Sequence, residues 1–416
     1  MSKEKAIVVG LSAQSLEPSE RASETSLDEL SALVETAGGI AVAAVLQNLQ
    51  RPNPRSFIGE GKINEISELV AAEECDMVVF DNELSPSQMR VLTEELGVKV
   101  LDRSGLILDI FAQRARSREG KLQVELAQYR YLLPRLAGMW THLVRQTASS
   151  APIGTRGPGE TQLETDRRHI RRKITKLEEE LESVRRVRGT QRKRREKNAV
   201  PVIALVGYTN AGKSTLLNRL TGSDVPAENR LFDTLDTTTR SLRLGETREV
   251  LLSDTVGFIR KLPHHLIDAF KATLEELAYA DVLLHVIDLS SPDYREQMEV
   301  VENLIRELGA NETPRLNVYN KCDAFSGELP MDREGVCISA RTGEGLPELS
   351  EMISAILNRG KKRVSLRLPY DKGAILEYLH REAEVQSVEY GEDAVLVRAV
   401  VDSADWGRLR EYEIRD

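Results

Sequence analysis

The stretch Gly207-Tyr208-Thr209-Asn210-Ala211-Gly212-Lys213-Ser214 can cradle a chain of phosphates. It follows the apolar, strand-like Val202 to Val206 and precedes the helical pattern Thr215 to Leu220, the strand, loop and helix context that a phosphate-binding P-loop requires. Glycines let backbone N–H groups wrap the phosphates, Lys213 reaches the β and γ oxygens, and Ser214 offers a hydroxyl to Mg²⁺. Asp254-Thr255-Val256-Gly257 comes after the apolar Val250 to Leu252. There a carboxylate can hold the Mg²⁺ shell through water while the Gly257 N–H meets the γ-phosphate. Asn320-Lys321-Cys322-Asp323 ends a third strand-like run, and the Asp323 carboxylate can accept from guanine N1 and the 2-amino group, which adenine cannot supply. Ser339-Ala340-Arg341 follows Val336 to Ile338, where backbone amides can contact guanine O6. A glycine-rich turn would explain the first motif alone, but not four motifs in this order. Together they predict GTP and GDP binding with Mg²⁺, and hydrolysis of GTP.

This ordered set resembles the translation-factor-like class of P-loop GTPases. The resemblance implies a switch I threonine between the P-loop and Asp254, in Leu231-Phe232-Asp233-Thr234-Leu235-Asp236-Thr237-Thr238-Thr239. Thr234, just before a leucine, is the expected Mg²⁺ ligand, with Thr237 and Thr238 as rivals; a plain strand edge is the bland reading of the threonine run. Phe258 stands where Ras-like proteins place a water-orienting glutamine, so the positioning group for the hydrolytic water is unassigned and slow intrinsic hydrolysis is expected. That group must come from a partner, another loop or a cation. Asn210 points to K⁺ beside the phosphates, or else merely stabilises the loop. His264-His265 and Glu275-Glu276 are read as solvated pairs.

Four units are needed to carry these residues. Alternating strand-like and helical runs over 1–112 predict an N-terminal α/β domain. Residues 113–197 are arginine-rich and helix-forming; Ile170, Ile174, Leu177, Leu181 and Val184 make a coiled-coil seam, and the glycine-rich Thr147 to Thr161 makes a mobile loop at the tip of a helical hairpin arm. The GTPase domain, a mostly parallel sheet flanked by helices, occupies 198–360, and a small α+β domain of order β-α-β-β-α occupies 361–416. Cys75, Cys322 and Cys337 lack any Cys-x-x-Cys spacing and are expected to be reduced thiols. No apolar run is long enough to span a membrane and no signal peptide is visible, so a cytoplasmic monomer is expected.

Net charge is -9, which by itself argues against a nucleic-acid partner. The charge is unevenly placed, however: residues 114–197 hold 22 Lys+Arg against 10 Asp+Glu. Arg185, Arg186, Arg188, Arg192, Lys193, Arg194, Arg195 and Lys197 crowd one end of the arm, suited to releasing counterions from RNA phosphates, and Arg156 sits in the glycine-rich loop, slender enough for a narrow RNA cavity. A solvated charged linker and a plain hairpin tip are the bland alternatives.

Nearly the whole chain resembles the HflX family of ribosome-binding GTPases. The resemblance rests on Phe57 to Lys62 (FIGEGK), Phe80 to Gln88 (FDNELSPSQ), Leu101 to Ser104 (LDRS), Gln123 to Tyr129 (QVELAQY) and the highly specific Gly154 to Asp166 (GTRGPGETQLETD), with the GTPase motifs. The chain departs from the family at Asp236-Thr237, where Asp-Pro is expected. The resemblance implies binding to the large ribosomal subunit and its rRNA, a glycine-rich loop reaching the peptidyl-transferase region, and separation of stalled or idle ribosomes. Two other readings are a regulatory GTPase acting on a protein target and a nucleotide-driven RNA remodeller.

Overall fold

The computed structural model describes residues 3–147, 158–196, 200–224, 231–232, 234–235, 237–244, 248–262, 266, 277–330, 335–359, 361–391 and 393–414. Its first sheet has the order β2-β1-β3-β4, all parallel, from β1 (Lys5–Ala13), β2 (Ile40–Leu49), β3 (Met77–Phe80) and β4 (Lys99–Asp102). Parallel strands must be covered on both faces. That cover comes from α1 (Glu24–Thr36), α2 (Glu60–Glu73), α3 (Pro86–Leu96) and α4 (Arg103–Arg114). Three helix starts are built from polar side chains: Ser23 caps α1, Ser85 caps α3 with Pro86 as its first residue, and Asp102 caps α4 by accepting from Gly105 N at 2.9 Å.

Two long helices follow, α5 (Arg118–Thr147) and α6 (Pro158–Glu196). The 39 residues of α6 span about 58 Å at the usual helical rise. Leu177 and Leu181 of the expected seam are buried against Leu126 of α5, with Ile174 packed beside them. Across the seam Arg130 meets Glu178 at 2.7 Å, and Lys173 Nζ donates to Tyr129 OH at 2.7 Å. The helix begins earlier than the glycines suggested: Pro158 and Gly159, read as loop, form its first turn, because proline is favoured where no backbone donor is needed. The base of α5 is tied to the first sheet by Asp102, which takes Tyr131 OH at 2.7 Å and Arg135 Nη2 at 2.9 Å.

The central sheet has the order β10-β9-β8-β5-β7-β6. It contains β5 (Val202–Gly207), β6 (Thr238–Leu244), β7 (Arg248–Asp254), β8 (Val282–Asp288), β9 (Arg315–Asn320) and β10 (Gly335–Cys337), with β6 alone antiparallel. Helices α7 (Lys213–Thr221), α8 (Tyr294–Glu307) and α9 (Leu346–Leu357) pack on it. The last unit runs β11 (Lys361–Pro369), α10 (Gly373–Glu382), β12 (Glu384–Tyr390), β13 (Ala394–Asp402) and α11 (Ser403–Leu409), with an antiparallel β11-β13-β12 sheet. Leu366, Val397, Leu379 and Leu409 form its core. Among the described residues no helix is long and apolar enough to cross a membrane.

One apolar core joins the first sheet to the central one. Phe111 of α4 meets Phe232 edge-to-face at 4.8 Å between ring centroids, and Leu235, Val256 and Phe258 belong to the same cluster.

Candidate nucleotide-binding site

The phosphate end is assembled where β5 turns into α7. Gly212 has φ +95°, and a side chain there would strike the Asn320 amide. Lys213 is buried and donates from Nζ to the carbonyls of Gly207 at 3.0 Å and Tyr208 at 2.8 Å; burial lowers its pKa to about 8, with Asp254 opposing. Those two bonds aim the ammonium across the loop, and Thr215 continues α7 behind it. A side chain at Gly257 would come within 2.9 Å of Thr209 Cα and 3.1 Å of Lys213 Nζ, so only glycine permits this approach.

Three oxygen groups from three segments converge beside the loop. Ser214 Oγ donates to Asp254 Oδ2 at 2.7 Å, Thr234 Oγ1 donates to the same oxygen at 3.0 Å, and the two hydroxyls lie 2.9 Å apart. Asp254 is fully buried, burial raises its pKa, and its Oδ1 has no hydrogen-bond partner. A buried carboxylate oxygen left orphaned costs free energy unless a ligand completes it. Hard oxygen donors with room for water and phosphate suit Mg²⁺. Of the rival threonines, Thr238 starts β6 opposite Asp254 in the ladder, and Thr237 precedes it. Asp233 and Asp236 lie outside the described residues, as do His264, His265, Glu275 and Glu276.

At the other end of the candidate site Asn320 ties loops together, its Nδ2 donating to Ala211 O at 2.8 Å and its Oδ1 accepting from Ala340 N at 2.9 Å. Lys321, at φ +64°, pairs with Asp288 at 2.6 Å. Asp323 pairs with Arg341; a hydrogen bond from Ser339, followed by that guanidinium, holds its carboxyl below the usual range. The Asp323 carboxylate is thus kept ionised and oriented.

Phe258 is buried, and its backbone clasps the P-loop: Thr209 N donates to Phe258 O at 2.7 Å and Phe258 N to Gly207 O at 3.1 Å. Its ring faces the apolar core and cannot orient water. Asn210 takes φ +62° in an exposed part of the loop.

The residues missed from sequence are those that the first sheet lends to this site. Tyr208 OH donates to Glu29 at 2.6 Å and accepts from Arg260 N at 2.8 Å; burial and Glu29 both hold the phenol protonated. Arg103 meets Glu29 at 2.9 Å and Asp81 at 2.7 Å, and Asp81 also pairs with Lys261. Phe232, which packs on Phe111 of α4, and Lys261, which pairs with Asp81, both carry positive φ, at 55° and 53°. Non-glycine residues rarely adopt that backbone unless surrounding contacts hold them. Asp81 and Arg103 lie in the stretches FDNELSPSQ and LDRS, where their signal is unusual polarity at the ends of buried strands.

The arm presents Arg185 and Arg186 exposed on α6, with Arg186 3.6 Å from Glu182. The backbone of α6 carries Arg188, Arg192, Lys193, Arg194 and Arg195, whose side chains lie outside the described residues, as Arg156 does altogether.

Behind the P-loop, His285 of β8 is buried and its Nδ1 has no partner. Burial, then Arg315 and Lys213, lower its pKa to about 3, so it is neutral in the fold but protonated in the unfolded chain below its ordinary value near 6.5. Stability is therefore full above that value and lost as pH falls toward the folded pKa, on the order of 2 kcal/mol by about pH 5. Replacing His285 with leucine is expected to flatten the melting temperature between neutral pH and pH 5; an unaltered slope would exclude a neutral buried imidazole.

A strand, P-loop and helix beside a parallel sheet, with a converging Ser, Thr and Asp oxygen set and an Asn-Lys-x-Asp loop, define a P-loop GTPase. Residues 24–112 match the family described as GTP-binding GTPase N-terminal, 114–195 the GTP-binding GTPase middle region, and 202–321 the 50S ribosome-binding GTPase. The chain is 48% identical over 412 residues to the GTPase HflX of Caldanaerobacter subterraneus subsp. tengcongensis, covering 99% of this chain and 94% of that protein. It is 45% identical over 395 residues to the GTPase HflX of Escherichia coli K12, covering 93% and 92%. A GTP-binding protein from Sulfolobus solfataricus, solved in complex with GDP, aligns at TM-score 0.45 and 27% identity over 86% of this chain and 99% of that one. The chain belongs to the GTPase HflX family and hydrolyses GTP.

Proposed function

We propose that this GTPase uses Mg²⁺ and, in its GTP form, docks on the large ribosomal subunit through the arm, drives stalled or idle ribosomes apart, and leaves after hydrolysis to GDP and phosphate. One observation carries the reading: Phe232 packs on Phe111 of α4 and Lys261 pairs with Asp81 just beyond β3, both in segments that flank the P-loop, and Asp102, which caps α4, also holds the base of the arm. Ordering of those segments by GTP is thereby tied to the element that would touch RNA.

In this proposal Lys213 and the P-loop amides bind the β and γ phosphates, and Ser214 and Thr234 would hold Mg²⁺, with Asp254 acting through water. When bound, the ion offsets charge on the transferring phosphoryl group. Asp323 reads guanine, with Ser339, Ala340 and Arg341 around the base, and Phe232 and Leu235 seal the pocket. Asn210 is the proposed contact for K⁺, which would supply the positive charge that Phe258 cannot. Arg156 and Arg185 to Arg195 are the proposed rRNA contacts. A cytoplasmic monomer fits this role.

Co-sedimentation tests it. The protein is expected to pellet with large subunits under a non-hydrolysable GTP analogue but not under GDP, to lose that binding when 154–159 are deleted, and to hydrolyse GTP at least about tenfold faster with subunits present. Unchanged turnover with subunits would instead favour a protein target.

A further inference from the structure

The GTP-binding motifs sit at the C-terminal ends of the central strands. At the opposite ends of β8 and β9 lies a cavity of about 300 Å³ whose lining includes Arg306, Arg315, Arg359, Glu302, Thr313 and Asn317. The three arginines come from α8, from β9 and from just beyond α9. Glu302 is the only carboxylate in the lining, and it meets Arg315 at 3.4 Å. Arg306 donates to the neutral Asn303 at 2.9 Å, and no carboxylate among the described residues pairs with Arg306 or Arg359.

Bringing three exposed guanidinium groups to one concave space with a single counter-charge leaves two positive charges in excess; water and salt screen their repulsion, and the remaining field attracts an anion. Guanidinium forks match oxyanions in geometry as well as charge. A planar carboxylate is satisfied by one fork, whereas a tetrahedral phosphate can use donors arriving from several directions. Thr313 and Asn317 add neutral donors, and the volume is at the lower end of that of small-ligand pockets. Asn317, in the cavity lining, also acts on His285, the buried imidazole whose Nδ1 is unpartnered, so the cavity wall lies beside a group that can report its occupancy.

We propose that this cavity is a second anion site that binds a phosphate group, separate from the GTP site and independent of its assignment. The phosphate could belong to a free phosphorylated molecule or to an RNA backbone, and the test separates these sources.

Full-length protein saturated with a non-hydrolysable GTP analogue and Mg²⁺, so that the β and γ phosphate positions of the P-loop are filled, is titrated with inorganic phosphate. Calorimetry and the His285 imidazole resonance provide the readouts. Saturable binding is expected, with a His285 shift, and Arg315→Gln and Arg359→Gln are each expected to weaken it by about tenfold or more while GDP affinity is unchanged. Arg315 and Arg359 are both exposed, and the Arg359 variant, which breaks no ion pair with Glu302, decides the matter if Arg315→Gln does not fold. A short single-stranded RNA that competes with phosphate, and whose binding the same substitutions weaken, identifies an RNA backbone; phosphate binding without RNA competition identifies a free ligand. Absence of saturable phosphate binding, or equal binding by both variants and the parent, overturns the proposal.

Discussion

Replacing Asp323 with asparagine is expected to weaken GTP and GDP binding by about two orders of magnitude or more, while leaving the feeble binding of ATP as it was. The carboxylate faces two donors in guanine, N1–H and the 2-amino group; an asparagine side chain turns one of its own donors toward a donor. Xanthine replaces that amino group with an oxygen, so the same variant is expected to gain xanthosine triphosphate. Arg341 and Ser339 hold Asp323 ready in the folded protein, and the substitution also removes their charged partner. Competition against a fluorescent guanine nucleotide reads all three outcomes. Wild-type affinity for GTP in the variant would remove Asp323 from base recognition.

Asp81→Asn is expected to produce the largest loss of stability, about 3–5 kcal/mol, because it leaves an uncompensated cation in a buried group. Glu29, Asp81, Arg103 and Lys261 form a balanced set of two negative and two positive charges, with the side chains of Asp81 and Arg103 0% and 2% exposed. Burial already lowers the pKa of Lys261, against the pull of Asp81. Removing the Asp81 charge therefore strands Arg103 and Lys261 with Glu29 alone. Adding Lys261→Met restores neutrality, and the double variant is expected to recover on the order of 1–3 kcal/mol, read by chemical denaturation. Nucleotide binding supplies a second readout: both variants free the segment after Gly257, so affinity for a GTP analogue is expected to fall relative to GDP. A loss below about 1 kcal/mol, with no recovery in the double variant, would show that the four charges are not coupled.

The nucleotide motifs were legible because phosphate, metal and guanine each demand particular atoms at short sequence spacing. Gly212, Lys213 and Ser214 are neighbours in the chain and remain neighbours in space. The parallel sheets and paired arm helices were equally legible, since apolar periodicity follows directly from strand and helix geometry. Where local rules compete, reading was less secure: Pro158 and Gly159 carry loop-like composition yet open α6, and three nearby threonines offered the same hydroxyl. Only the packed chain brings the Thr234 hydroxyl within hydrogen-bond reach of both Ser214 and Asp254, while Thr238 faces Asp254 as its partner in the β6–β7 ladder.

What the amino-acid order determined unaided was the chemistry of the nucleotide and the repeating architecture around it, because both are written in residues close together. Tertiary structure alone decided which distant groups share the site. Glu29 meets Tyr208 across 179 positions and Asp81 meets Lys261 across 180, while Phe111 finds Phe232 between the two sheets. Such pairs depend on how separate units pack, and a buried charge or ring carries no mark in its own neighbourhood of the partner that will compensate it.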